Sequence, residues 1–128
     1  LPRFTFKKNE RLCSLKAIET LHQNGASFHA GHFKCIYSLQ AKTEGAPCQV
    51  VFSVPKRSFK RAVDRNLLKR RTREAYRLHK ALLYDHLAKK QRSLHLLILF
   101  ISKELVEYEE INKALLKALK TLIQKTSD

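Results

Sequence analysis

Only six of the 128 residues are Gly or Pro, three of each, and Trp and Met are absent altogether. So few flexible or ring-constrained residues, beside a 44% hydrophobic content, exclude wholesale disorder and collagen-like repeats. With Gly at positions 25, 31 and 45 alone, neither a Walker-type phosphate loop nor a dinucleotide fingerprint can be assembled. Long apolar runs are missing too. The longest, Leu94–Ile101, is broken by His95 and falls far short of the roughly 18 residues a membrane span requires. No basic segment followed by an apolar one opens the chain, so no secretory signal is expected. The first residue is Leu1 rather than Met, which leaves room for native residues before it. Cys13, Cys35 and Cys48 are an odd number without tight spacing, which fits reduced thiols in a cytoplasmic protein better than a disulfide framework. Acidic residues are scarce as well. Eleven Asp and Glu face 26 Lys and Arg, a formal charge of +15. A single domain over 1–128 is the natural reading at this length, and one so basic repels itself unless an anion screens it.

The positive charge is concentrated. Between Lys56 and Lys80 stand eleven basic residues (Lys56, Arg57, Lys60, Arg61, Arg65, Lys69, Arg70, Arg71, Arg73, Arg77 and Lys80) and two acidic ones, Asp64 and Glu74. This fifth of the chain carries +9 of the +15. A merely solvated helix face interleaves its signs, whereas like charges at helical spacing repel one another. A short acidic cluster, Glu104, Glu107, Glu109 and Glu110, lies far downstream.

Hydrophobic spacing divides the chain into elements. Leu12, Leu15, Ile18 and Leu21 recur every three residues and predict a helix over 10–24 that stops at Gly25. Aromatic and β-branched residues over 28–39 suit one or two strands, 42–47 is turn material, and 49–54 is a further strand closed by Pro55. Together these predict a hairpin. From about 62 to 87 the period becomes helical. At about 100° per residue, with Arg65 at zero, Arg65, Asn66, Lys69, Arg70, Arg73, Arg77 and Lys80 fall between roughly 0° and 140°. Leu68, Thr72, Ala75, His79 and Leu82 fall between roughly 260° and 340°, an apolar face opposite a cationic stripe. Leu94–Ile101 hardly alternates and predicts a strand buried on both faces. The segment 107–125 predicts an amphipathic helix with Ile111, Leu115, Leu119 and Leu122 on one side, its early Glu and later Lys residues suiting the helix dipole. The order is helix, strands, helix, strand, helix, which makes one α+β domain.

Protein-based catalytic chemistry leaves little trace. His29, His32 and Cys35 are spaced by three, but in an extended segment residues three apart project to opposite faces, so no metal site is expected. His79 and His86 are expected at the core or rim of their helix, and His95 as a satisfied core residue. Glu74 is placed to pair with Arg70 or Arg77. Asp64 and Glu74 fall on different faces of their helix, which does not suit the carboxylate cluster a metal-dependent protein nuclease needs. No catalytic residue and no metal ligand is assigned.

The run Pro55-Lys56-Arg57-Ser58-Phe59-Lys60-Arg61-Ala62-Val63-Asp64-Arg65-Asn66-Leu67-Leu68-Lys69-Arg70-Arg71-Thr72-Arg73-Glu74-Ala75-Tyr76-Arg77 resembles the signature of bacterial ribonuclease P protein subunits. Its centre is R-N-x-x-K-R-x-x-R-E, here Arg65, Asn66, Lys69, Arg70, Arg73 and Glu74. A strand end of the form Ser-Val-x-Lys-(Lys/Arg) precedes it, here Ser53, Val54, Lys56 and Arg57. Arg11-Leu12 ahead of a short helix ending at Gly25 is similar to the family as well. The resemblance implies a two-layer α/β sandwich like the second domain of ribosomal protein S5, a small central sheet with a left-handed βαβ crossover. It further implies a subunit that binds a large catalytic RNA. That RNA removes the 5′ leader of precursor tRNA by hydrolysis at its own metal-assisted site, so the protein holds no cofactor and magnesium belongs to the RNA. The expected RNA-binding residues are Lys56, Arg57, Lys60, Arg61, Arg65, Asn66, Lys69, Arg70, Arg73 and Arg77, with Arg65 and Arg70 facing solvent. The family also contacts the leader in a cleft between the first helix and the sheet. Here Ile18, His22, Phe33 and Tyr37 stand as its lining, with Phe4 and Phe6 on the rim, although the family often has Phe where this chain has Ile18 and His22. No membrane partner is implied. The alternative is a ribosome-associated or generic structural RNA-binding protein on the same scaffold. It would bind RNA regardless of how the RNA is folded.

Overall fold

In a computed structural model, which describes residues 6–127, Ser14 sets the start of the first helix. Its hydroxyl oxygen accepts the Ala17 amide at 3.2 Å, so α1 spans Leu15–Asn24 rather than the expected 10–24. A side-chain cap satisfies an amide that an earlier start would leave to others, and here it outweighs the Leu spacing. Residues upstream form a 3-10 turn at Lys8–Glu10, after which Arg11 bridges to Val50. Leu12 is thus buried from outside the helix, whereas Leu15 is 78% exposed. Gly25 ends α1 with an ordinary φ of −73°. What the position demands is space, since a Cβ there would lie 2.5 Å from the Leu21 carbonyl oxygen and 2.7 Å from Ile36 Cγ2.

The hairpin that forms is not the expected one. Strands β1 (Ala26–Ala30) and β2 (Phe33–Ala41) pair antiparallel around Gly31, whose φ of +56° is a left-handed conformation that costs glycine nothing. β3 (Cys48–Ser53) does not pair with β2. After α2 (Ala62–Lys90), strand β4 (Arg92–Phe100) inserts between them, giving the order β1-β2-β4-β3 with β4 antiparallel to β2 and parallel to β3. A central strand must be apolar on both faces, and β4 is the strand that meets this, with Leu94, Leu96, Leu97, Ile98 and Phe100 all buried. The chain closes with α3 (Tyr108–Lys125), which buries Ile111, Leu115, Leu119 and Leu122 as its spacing predicts.

The register assigns each side chain to a face. Phe33, Cys35 and Tyr37 share a face with Leu94, Leu96, Ile98 and Phe100 and with Cys48, Val50 and Phe52, and this face packs under α2 and α3 as the main core. The opposite face carries Ile36, Leu97 and Val51, which meet Leu21, Ala17 and Ile18 of α1. His79 and Asn112 (2.8 Å), and His86 and the Thr126 hydroxyl (2.9 Å), join α2 to the α3 region through side-chain hydrogen bonds. His95 is half-buried beside Ser38 and Gln40 on the α1 side, and burial lowers its pKa, disfavouring the charged imidazolium. Among the described residues no helix is long and apolar enough to cross a membrane.

Candidate nucleic-acid interface

The interface starts in the segment between β3 and α2. Val54 and Phe59 are buried, and the Phe59 amide donates to the Pro55 carbonyl at 3.2 Å. This tight turn, anchored at both ends, leaves Lys56, Arg57, Lys60 and Arg61 exposed. Arg65 then takes an unexpected part. Its guanidinium is half-buried, and Nη1 donates to the carbonyls of Phe59 (2.7 Å) and Lys60 (2.9 Å). The arginine predicted to face solvent therefore fastens the turn to the helix. Arg65→Ala is expected to cost about 1–3 kcal/mol, because two carbonyls lose their donor. Urea denaturation would measure it, and an unchanged midpoint would show that water replaces the guanidinium at no cost.

α2 has 29 residues and is about 43 Å long at 1.5 Å per residue. Its buried row runs Leu68, Thr72, Tyr76, Lys80, a step of four each time. Such a row slants across a helix surface rather than running along it, so the face in contact with the core rotates from one end of α2 to the other. A fixed helical wheel misses this. It places Lys80 in the cationic sector and Leu82 in the apolar one, whereas Lys80 is 4% exposed and Leu82 46%. Lys80 is not part of the stripe. Its ammonium donates to Glu10 Oε1, which also accepts from the Tyr84 hydroxyl, and Glu10 Oε2 accepts the Lys7 amide. Burial alone would raise the Glu10 carboxyl; the hydrogen bonds from Lys7, Lys80 and Tyr84 outweigh it and hold the group below its ordinary value.

What remains on the outer side of α2 is a stripe of Asn66, Arg70 and Arg73, all exposed, with Lys69 and Arg77 half-exposed. Arg77 holds Glu74 through two hydrogen bonds of 2.6 and 2.9 Å, one of the two pairings expected, and these keep the Glu74 carboxyl below its usual range. Among the described residues no carboxylate pairs with Lys69, Arg70 or Arg73. Arg71 lies outside the stripe and donates to the Val106 carbonyl at 2.7 Å, tying α2 to the segment before α3.

The residues expected to line a leader cleft do not come together. Ile18 packs half-buried on the α1 side of the sheet and His22 is exposed on α1. Phe33 and Tyr37 lie on the other face. Phe33 is wholly buried against Phe100, and Tyr37 packs on Phe28 within the main core. Strand periodicity of two makes a face assignment all or nothing, and here it falls the other way. No Phe or Tyr of the four strands points toward α1; that face offers Ser27, His29, Lys34, Ile36, Ser38 and Leu99. Phe6 is half-buried and meets Phe52 and Tyr76, on the α2 side, while Phe4 lies outside the described residues.

His29, His32 and Cys35 do not lie in one extended segment: the turn at 31–32 falls between them and sends His29 and Cys35 to opposite faces of the sheet. His29 is exposed, Cys35 is buried in the main core, and His32 pairs with Glu110 at 3.3 Å while stacking on Phe100. Among the described residues no group of three His, Cys, Asp or Glu could hold a metal ion. Burial pushes the Cys35 and Cys48 thiols up to about 12, far from the thiolate form a nucleophile needs.

Fold and surface together define a small α+β domain with one long cationic helix, and a cationic turn before it, on its surface. Residues 6–126 match the protein family described as Ribonuclease P. The Ribonuclease P protein component of Porphyromonas gingivalis strain W83 is 36% identical over 118 residues, covering 92% of this chain and 86% of that protein. The component from Chlorobaculum tepidum is 43% identical over 75 residues, 56% of this chain and 49% of that protein. The solved RNase P protein of Staphylococcus aureus superposes with a TM-score of 0.68 at 19% identity, over 88% of this chain and 94% of that one. That of Thermotoga maritima gives 0.68 at 21% identity, over 88% and 96%. The chain belongs to the ribonuclease P protein family.

Proposed function

We propose that the chain is the protein subunit of ribonuclease P and that α2, with the turn before it, docks the catalytic RNA. The observation that carries this reading is the stripe itself: Lys69, Arg70 and Arg73 stand on one helix side with no carboxylate partner among the described residues. Guanidinium forks bind phosphate oxygens in bidentate fashion, and Lys adds a point charge. Base edges of an A-form helix are hidden in a deep groove, so such a surface selects the spacing of phosphates and 2′-hydroxyls in a folded RNA. Asn66, neutral and exposed beside them, adds an amide NH2 that donates and a carbonyl oxygen that accepts.

In this reading hydrolysis belongs to the RNA, with magnesium held there, and the protein acts by binding in the cytoplasm. The precursor tRNA leader runs along the α1 side of the sheet, past Ile18 and His22. Lys34 and His29 supply its polar contacts, and Phe33 and Tyr37, on the other face of the sheet, take no part.

Reconstitution tests the role. Added to a bacterial catalytic RNA at low magnesium, the chain is expected to stimulate leader cleavage of precursor tRNA. No stimulation, under conditions where the Porphyromonas gingivalis component stimulates, would overturn the assignment.

A further inference from the structure

Where the N-terminal segment runs alongside β3, bridged to it in parallel at Arg11 and Val50, it leaves a cleft of about 270 Å³ between itself and α2. The cleft's floor includes Phe6, Phe52 and Val50, and its walls carry three cations from two separate stretches of chain, Arg11 on one side and Lys69 and Arg73 on the other. None of the three has a carboxylate partner among the described residues. Glu10, next to Arg11, is turned inward and committed to Lys80, Tyr84 and the Lys7 amide, and Glu74, next to Arg73, is held by Arg77. The Arg11 guanidinium lies 5.6 Å from the centre of the Phe6 ring, so the apolar floor and the cationic rim are parts of one surface.

We propose that this cleft takes a single unstacked nucleotide of the RNA partner, its phosphate among Arg11, Lys69 and Arg73 and its base against the Phe6 and Phe52 rings. The proposal rests on the RNA-binding reading above and adds to it a site that extends from the inner edge of the stripe, Lys69 and Arg73, onto the N-terminal segment. The chemistry is that of single-strand recognition, in which aromatic faces accept any base and cations follow the backbone. The size is near the lower end of ligand cavities, which begin at about 300 Å³, and suits one nucleotide rather than a duplex. The device also explains why the N-terminal segment is pinned so firmly. Arg11 follows directly on Glu10, and the buried Glu10–Lys80 contact fixes where its guanidinium can reach.

The test uses the full chain and the catalytic RNA. Arg11→Gln is expected to weaken binding about 4-fold at 0.15 M salt and to flatten the plot of log K against log salt by about 0.7, the value of one single-strand phosphate. Lys117→Gln, an exposed cation on the far helix α3, serves as the reference change. Phe6→Trp places the chain's sole Trp on the floor, and its fluorescence is expected to be quenched as RNA saturates. Arg11→Gln no weaker than Lys117→Gln, together with an unquenched Trp, would overturn the cleft. If Arg70→Gln, on the stripe and outside the cleft, still weakened binding, the RNA-binding reading would stand without it. Failure of the unaltered chain to bind the RNA would sink both.

Discussion

Changing Lys69, Arg70 and Arg73 together to Gln is expected to weaken binding to the catalytic RNA on the order of 100-fold at 0.15 M salt, because each neutralised duplex phosphate contributes about 0.9 to the salt slope. The slope itself is expected to fall by about 2.7. No ion pair is lost, since none of the three has a carboxylate partner among the described residues. Removing like charges from one helix also relieves repulsion, so the melting temperature should hold or rise slightly. Filter binding over a salt series, alongside a thermal melt, reads both quantities. An unchanged slope would place the RNA contact elsewhere. A collapsed melt would make the stripe structural. Arg65 is kept out of this set because its guanidinium holds the Phe59–Lys60 turn.

The second large effect is on stability. Lys80→Met leaves the Glu10 carboxylate buried, with the Tyr84 hydroxyl and the Lys7 amide as its remaining partners. Removing one member of a buried ion pair costs about 3–5 kcal/mol, a large share of the roughly 5–15 kcal/mol that holds a domain together. The melting temperature is expected to fall by roughly 10–20 °C. Lys80→Met combined with Glu10→Leu should recover most of that loss, since an apolar pair of similar volume often does no worse than the ions. A single variant melting within about 2 °C of the unaltered chain would show that the contact holds little. Acid gives the same answer by another route. The Glu10 carboxyl is depressed on folding, so its contribution is complete above the ordinary value of 4.5 and is lost as pH falls below it, through the lowered folded value. Because this contact seats the segment that carries Arg11, Lys80→Met should also reduce RNA affinity under conditions where the domain remains folded.

Some of this molecule is plain in its sequence. The R-N-x-x-K-R-x-x-R-E spacing identifies both the family and the outer side of α2, and the 3.6-residue period locates α2 and α3 to within a few residues. What could not be read has particular causes. Strand order is non-local: the unbroken apolar run of β4 marks it as buried on both faces, but nothing within β2 or β3 says that β4 lies between them. Lys80 falls in the cationic sector of a helical wheel, yet the slant of the buried row across α2 carries it inside, where Glu10, 70 positions away, meets it. Arg65 matches the motif, but its reach is set by a turn whose carbonyls come within its range only once Phe59 is buried. Phe33 and Tyr37 are aromatic and in a strand, as a leader cleft requires. Their face depends on a register fixed by Phe100 and Tyr37's neighbour Leu96 in β4.

A competition experiment bears most directly on what the stripe recognises. The labelled catalytic RNA is bound to the chain at 0.15 M salt and challenged with unlabelled catalytic RNA or with an unstructured RNA of equal length. Phosphate number is then the same and only the fold differs. The folded RNA is expected to compete at least 10-fold better, since a fixed helix stripe rewards phosphates held at matching positions. Equal competition by the two RNAs would contradict a fold-reading surface and leave a basic protein that coats any RNA.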